Sequence, residues 1–309
     1  MYLTNAEPAC RVLIQEENFL GKQSPFGKGM SSPASGRVCL KKLPLVLMVA
    51  LLFLAVPSSY AQLSYSENFD VMGPAGTTLP SGWIAGYLGT ESSVNRAVMT
   101  PYAANGLSVT AMPVAVSDGS ALPSPNVGTV LNLGAAGNSD RALGNYPRTT
   151  PSGDQVMQVA IQNNTGGSLS AIQLNYWGEQ WRQSQGTSSS GPEMLRVLAS
   201  TTSAISGFTY IPSLDFLAPK QTTADAPVGG LDGNNAANRV FISGTITFAS
   251  AVPNGGTFYV RWHDWNDNGT SDHFLAIDDV QISSVPEPGT VSMWVLGLGV
   301  LAGCRGRRK

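Results

Sequence analysis

Val156-Met157-Gln158-Val159-Ala160-Ile161, then Asn164-Thr165-Gly166-Gly167, then Ile172, Leu174 and Tyr176 at every second position: on this stretch the fold class turns. The first run has the length of a strand, and the second alternates with the period of two that puts successive side chains on opposite faces of a sheet. The Asn/Gly segment between them reads as a hairpin turn. Working outward, the same signal recurs at Leu195/Val197/Ala199, Val240/Ile242, Ile246/Phe248, Phe258/Val260/Trp262 and from Phe274 to Ile282, with Gly, Asn, Pro or Ser between the runs. No helical period is sustained outside the two terminal segments, and no internal repeat is present. Many short strands with turn-rich joins predict an all-β, antiparallel β-sandwich of the jelly-roll kind. The Gly/Pro/Ser/Asn-rich stretches 101–153 and 184–193 read as long surface loops.

The chain divides into three parts. Residues 1–61 are a leader and signal peptide: Leu43 to Val56 is continuously apolar behind Arg37, Lys41 and Lys42, and Ser59-x-Ala61 is a small-x-small site that places cleavage between Ala61 and Gln62. Residues 1–29 are polar and carry three acids, which is unusual ahead of such a signal, so Met30 is an alternative start. Residues 62–284 are the exported β-sandwich. They carry 16 Asp plus Glu against 8 Lys plus Arg, a balance that opposes nucleic acid and tolerates cations. The cysteines, Cys10, Cys39 and Cys304, all lie outside this part, so burial and not disulfides must hold it together.

Residues 285–309 form a tail: Val285-Pro286-Glu287-Pro288, a short apolar run from Val291 to Gly303, and Arg305-Gly306-Arg307-Arg308-Lys309. Physically this is an extended entry, a transmembrane helix of marginal length and a cationic stop that favours an outward domain. The three-part order resembles the PEP-CTERM sorting signal of bacterial exopolysaccharide-associated proteins. That resemblance implies export through the Sec machinery, temporary membrane attachment through the C-terminal helix, and recognition of Pro286, Glu287 and Pro288 by an exosortase. Arg305, Arg307 and Arg308 complete the signal, and the expected destination is the cell envelope, surface or extracellular matrix of a bacterium. An ordinary C-terminal anchor would give the same topology.

Motifs for catalysis fail in turn: no Gly-x-Ser-x-Gly elbow, no His-Glu-x-x-His, no phosphate loop and no Cys pair at metal spacing. Paired carboxylates could make a glycosidase, with Glu179 and Glu193 as candidates. Trp177, Glu179, Trp181 and Arg182 form a dense polar-aromatic group, and residues four apart on a strand share a face. One reading is a sugar-stacking platform; the other is that both tryptophans fill the sandwich core while Glu179 pairs with Arg182 or Arg261. Five segments, Asp140–Gly144, Asn163–Gly166, Gly178–Arg182, Leu231–Asn234 and Arg261-Trp262 through Asp272–Asp279, are similar to a family of secreted bacterial β-sandwich modules. Glu67–Asp70 followed by Leu79–Trp83 is similar to the entry strand of such jelly rolls. The likeness implies a fold and a setting, and no activity. Three functions follow as expectations: a non-enzymatic surface or exopolysaccharide-matrix protein, a carbohydrate-binding module with specific recognition, and a glycosidase-like enzyme.

The densest acidic stretch offers a metal. Asp264, Asn266 and Asn268 recur at every second residue before Gly269, the start of a calcium loop, but its twelfth position is Leu275, so Asp272, Asp278 or Asp279 would have to supply further oxygens to a structural calcium. Asp278 and Asp279 should point to opposite faces of their strand, one of them into the interior. The alternative is an Asn/Asp/Gly turn in which these carboxyls are satisfied by Arg261, an indole or backbone amides.

Overall fold

The computed structural model describes residues 61–88, 109–149, 152–184, 192–266 and 272–285. In chain order the strands are β1 (Ser64–Glu67), β2 (Trp83–Tyr87), β3 (Thr110–Ala111), β4 (Val114–Ser117), β5 (Thr129–Leu133), β6 (Ala142–Tyr146), β7 (Arg148–Thr149) and β8 (Ser152–Gly153). They continue as β9 (Gln155–Gln162), β10 (Leu169–Gln183), β11 (Met194–Ser200), β12 (Thr209–Tyr210), β13 (Phe216–Leu217), β14 (Gly229–Gly230), β15 (Arg239–Val252), β16 (Thr257–Asp264) and β17 (Phe274–Ser284). The larger sheet runs β14-β10-β17-β6-β5-β4, with β1 also on β17 and β15 also on β10. The smaller runs β12-β11-β16-β9-β2-β3, with β13 also on β11. All pairings are antiparallel except β4 with β5. The only helical elements among the described residues are short 3-10 turns. None is long and apolar enough to cross a membrane. The signal segment and the Val291–Gly303 run lie outside the described residues.

The long strands β9, β10, β11, β15, β16 and β17 alternate between the two sheets, so the chain winds around the sandwich as a jelly roll does. The Asn164–Gly167 turn is therefore not a hairpin between paired strands. It carries the chain from one sheet to the other, because both edges of β9 are taken by β2 and β16, and those of β10 by β15 and β17. Asn163 closes the turn: its amide donates to the carbonyls of Gly167 and Val252, and its oxygen accepts from the Thr165 amide and hydroxyl. Such local chemistry reverses a chain without specifying what the flanking strands pair with.

A second correction concerns 101–153, which is not a loop throughout. It contains β5 and β6, buried at every position. A strand covered on both faces shows no alternation, and its pattern is further masked by Asn132 and Asn145. Asn132 is tolerated inside because its amide donates to the carbonyls of Gly73 and Gly76 while its oxygens accept from Arg141.

Two apolar clusters result. The main core lies between the sheets and includes Trp83, Leu174, Tyr176, Phe216, Phe258, Trp262, Leu275, Ile277, Val280 and Ile282. A smaller one, with Leu131, Leu133, Tyr146, Trp181, Phe274 and Ala276, lies on the opposite side of the larger sheet. Strand β17 contributes alternate residues to both clusters, and Asp279, at φ 48°, forms a bulge that shifts its pairing with β10. Of the two acids Asp278 is buried, on the side of Phe274 and Ala276, and Asp279 is exposed; the alternation fails beyond them, where Val280 and Ile282 return to the side of Leu275 and Ile277.

Candidate functional site

The outer face of the larger sheet collects most of the residues that could carry chemistry. On β10, the even positions Ile172, Leu174 and Tyr176 point into the core, so the odd positions point out. Across four strands the register builds rows on this face. Gln173 lies between Thr245 of β15 and Ser283 of β17, and Ser283 faces Ser64 of β1. One step along, Asn175 lies between Ser243 and Gln281, and Gln281 faces Ser66. Next, Trp177 lies between Phe241 and Asp278, and then Glu179 between Arg239 and Ala276.

The first two rows carry no formal charge. Their side chains are tied sideways: the Gln173 amide donates to Asn175 Oδ1 (3.2 Å) and Ser243 Oγ (3.0 Å), Ser243 donates to Asn175 Oδ1 (2.7 Å), and Thr245 donates to Gln173 Oε1 (3.0 Å). The third row is aromatic. Trp177 and Phe241 stand 5.3 Å apart at 58°, and the Arg239 guanidinium lies 4.4 Å from the Trp177 ring centre. Phe241 is 52 % exposed, Trp177 half-buried.

The fourth row is enclosed. Glu179 has no exposed surface; Trp181 Nε1 donates to its Oε2 at 2.9 Å, and Arg239 Nη1 stands 3.9 Å from its Oε1. Burial lifts its pKa to about 7, with the indole and Arg239 opposing. Asp278 is pushed further, to about 9, first by burial and then by the nearby Glu179 carboxyl; the Asp279 amide, donating to its Oδ1 at 2.7 Å, works the other way. Two buried carboxyls that repel one another each retain a proton longer than an exposed acid.

Of the residues singled out in the sequence, Trp177 and Trp181 do share a face, and it is not the sandwich core. Trp181 is shut inside the smaller cluster and only Trp177 reaches the surface. The partner of Glu179 is Arg239, not Arg182 or Arg261. Arg182 donates to the carbonyls of Gly119 and Ser120. Arg261, in the other sheet, donates to Gln158 and Ala204 and lies over Phe208. Glu193 immediately precedes β11 of the smaller sheet, 4.0 Å from His273 Nδ1, away from the face Glu179 occupies. Arg239, Phe241 and Ser243 were missed. Their alternation with Ile242 marks them as outward, but which strand they flank depends on a pairing 60 to 70 residues distant in sequence.

The calcium set is divided between the sheets. Asp264 and Asn266 are buried at and just beyond the end of β16, where the Asn266 amide donates to Asp154 Oδ1 and His263 Nε2 lies 3.0 Å from Asp154 Oδ2. Asp278 and Asp279 belong to the larger sheet, Asp272 is buried ahead of β17, and Asn268 lies outside the described residues. Among the described residues no group of three or more His, Cys, Asp or Glu is arranged to hold a metal ion. Ala61 and Gln62 are exposed just ahead of β1, and Pro286, Glu287, Pro288, Arg305, Arg307 and Arg308 lie outside the described residues.

Comparison with known proteins places residues 284–309 in the PEP-CTERM protein-sorting motif. The motif marks an exported, cell-surface protein. No curated protein matches the chain. Among solved structures, the K3 cleaved adhesin domain of Lys-gingipain from Porphyromonas gingivalis W83 is similar at 16 % identity, over 73 % of this chain and 100 % of that one, with a TM-score of 0.34. The xylan-binding domain of CBM 22 is similar at 13 % identity, over 74 % and 96 %, with a TM-score of 0.33. The N-terminal cellulose-binding domain of Cellulomonas fimi β-1,4-glucanase C is similar at 15 % identity, over 53 % and 91 %, with a TM-score of 0.26.

Proposed function

We propose that residues 62–284 work outside the cell as a non-enzymatic component of the surface or exopolysaccharide matrix, exported by the Sec machinery and released or re-attached when an exosortase processes the tail. The observation that carries this reading is continuity: β17, a central strand of the larger sheet, ends at Ser284, where the sorting motif begins. The tail is thus joined without a linker to the part of the domain that pairs with β1, β6 and β10. Support for a non-catalytic role comes from Glu179, the best placed acid. A glycosidase needs two carboxyls flanking a bond that substrate can reach, and Glu179 is fully enclosed by its own sheet and cover.

Deletion of 286–309 tests the reading. The truncated protein should appear in the medium, while the intact chain should fractionate with envelope or matrix. Equal distribution of the two forms would refute it. Specific carbohydrate binding is the second reading, favoured by the exposed Phe241 beside the half-buried Trp177. Polysaccharide turnover abolished by Glu179→Gln would instead bring the enzyme back.

A further inference from the structure

We propose that the two uncharged rows and the Trp177–Phe241 pair on the outer face of the larger sheet form a binding platform for a neutral polysaccharide chain. The proposal rests on the extracellular reading above and names the partner. Three features of the face carry it.

The first is composition. Gln173, Asn175, Ser243 and Gln281 present amides and hydroxyls in a flat array with no charged side chain among them. In a domain with twice as many acids as bases, rows without a charged side chain, bordered by Arg239 and by the exposed Asp279 of the bulge, offer an ionic partner of either sign no matching cluster. Neighbouring strands lie about 4.8 Å apart and alternate residues about 7 Å apart along a strand. Four strands therefore give a surface on the order of 15 Å wide, room for an extended chain of sugar rings.

The second is preorganisation. The hydrogen bonds among Gln173, Asn175, Ser243 and Thr245 fix the amides before any ligand arrives, which reduces the ordering cost of binding. Arg239, braced between Glu179 and the Trp177 ring, does the same for the aromatic end.

The third is the placement of apolar surface. A pyranose ring has C–H groups on its faces and hydroxyls around its rim, so it needs an aromatic face beside an array of hydrogen-bonding groups. Phe241 offers that face and Trp177 backs it. A protein partner would need roughly 1,000 Å² or more with a continuous apolar centre. Two rings at one end of a polar field do not provide it.

The test uses protein recovered from producing cells, run in native gels containing hydroxyethylcellulose, arabinoxylan, galactomannan or, as the acidic control, polygalacturonate. The expected result is retardation in at least one neutral gel, little changed by added salt. Phe241→Ala should weaken it by about tenfold or more, Phe241→Tyr should keep it, and Asn175→Ala with Ser243→Ala should weaken it independently. Phe241 is exposed, so its variants should melt with the wild type, which melting curves check. Equal retardation of wild type and Phe241→Ala would overturn the assignment of the face. Retardation by polygalacturonate alone, or by none of the four, would overturn the neutral ligand. In each of these cases fractionation with the envelope leaves the extracellular reading standing; a wild-type protein that never reaches the envelope removes the premise itself.

Discussion

Ser284 and Leu63 hold each other in place: the Ser284 amide donates to the Leu63 carbonyl at 3.1 Å, and the Leu63 amide donates to Ser284 Oγ at 3.2 Å. The start of the exported domain and the point where the sorting motif begins are thus side by side. Cleavage between Ala61 and Gln62 leaves this clamp intact and, among the described residues, removes only the bond from the Ala61 amide to the Thr165 carbonyl. The mature protein should therefore begin at Gln62 on N-terminal sequencing. Ser284→Ala, which removes the hydroxyl partner of a half-buried amide, should cost about 1 kcal/mol in denaturant unfolding. A mature terminus beyond Ser64 would contradict this, because it would remove β1 from β17.

Stability should fall as the solution is made alkaline. Asp278 and Glu179 keep their protons in the folded state up to about pH 9 and about pH 7, whereas in the unfolded chain they titrate near 4. Over that interval the folded state binds more protons, so unfolding free energy decreases with pH. His273 acts in the other direction: burial lowers its pKa to about 4, and stability is lost as pH falls from about 6.5 to that value. The melting temperature should therefore fall from about pH 4 upward, with His273 offsetting part of the loss up to about 6.5, and should go on falling until about pH 9. Asp278→Asn, which mimics the protonated acid, should remove much of that drop; an unchanged slope would show that this carboxyl is not its source.

The strand pattern was legible wherever one face met the core and the other met water. Gln173, Asn175 and Trp177 alternate with Ile172, Leu174 and Tyr176, and the structure keeps that alternation. It was not legible in β5 and β6, covered on both faces, nor at Asp279, where a bulge changes the parity that the sequence alone implies. The candidate face was half visible for the same reason. Local periodicity gives the direction of Trp177, while its neighbour Phe241 is fixed by strand pairing that no local signal encodes.

Gly178 illustrates a constraint that composition hides. A Cβ there would lie 2.2 Å from the Phe216 ring, which is fully buried between the sheets. Gly178→Ala should therefore push Phe216 out of position and destabilise by about 1–3 kcal/mol, despite the better strand propensity of alanine. Phe216→Leu combined with Gly178→Ala should recover part of the loss. A neutral single variant would mean that the ring can move freely, contrary to its burial.

The turn after β16 supplies the last test. Asp264, Asn266 and Asn268 have the spacing of a calcium-loop start, yet the described members of the set are split between two sheets, and Asp154 takes the Asn266 amide and faces His263. Closing a turn with Asx side chains and amides needs no metal. Melting curves in calcium and in chelator should accordingly coincide, since a ligand that binds only the folded state raises the midpoint by mass action. Asp154→Ala, which leaves the Asn266 amide without its acceptor, should lower the midpoint equally in both. If calcium raises the midpoint and Asp264→Ala abolishes the rise, the stretch is a metal loop.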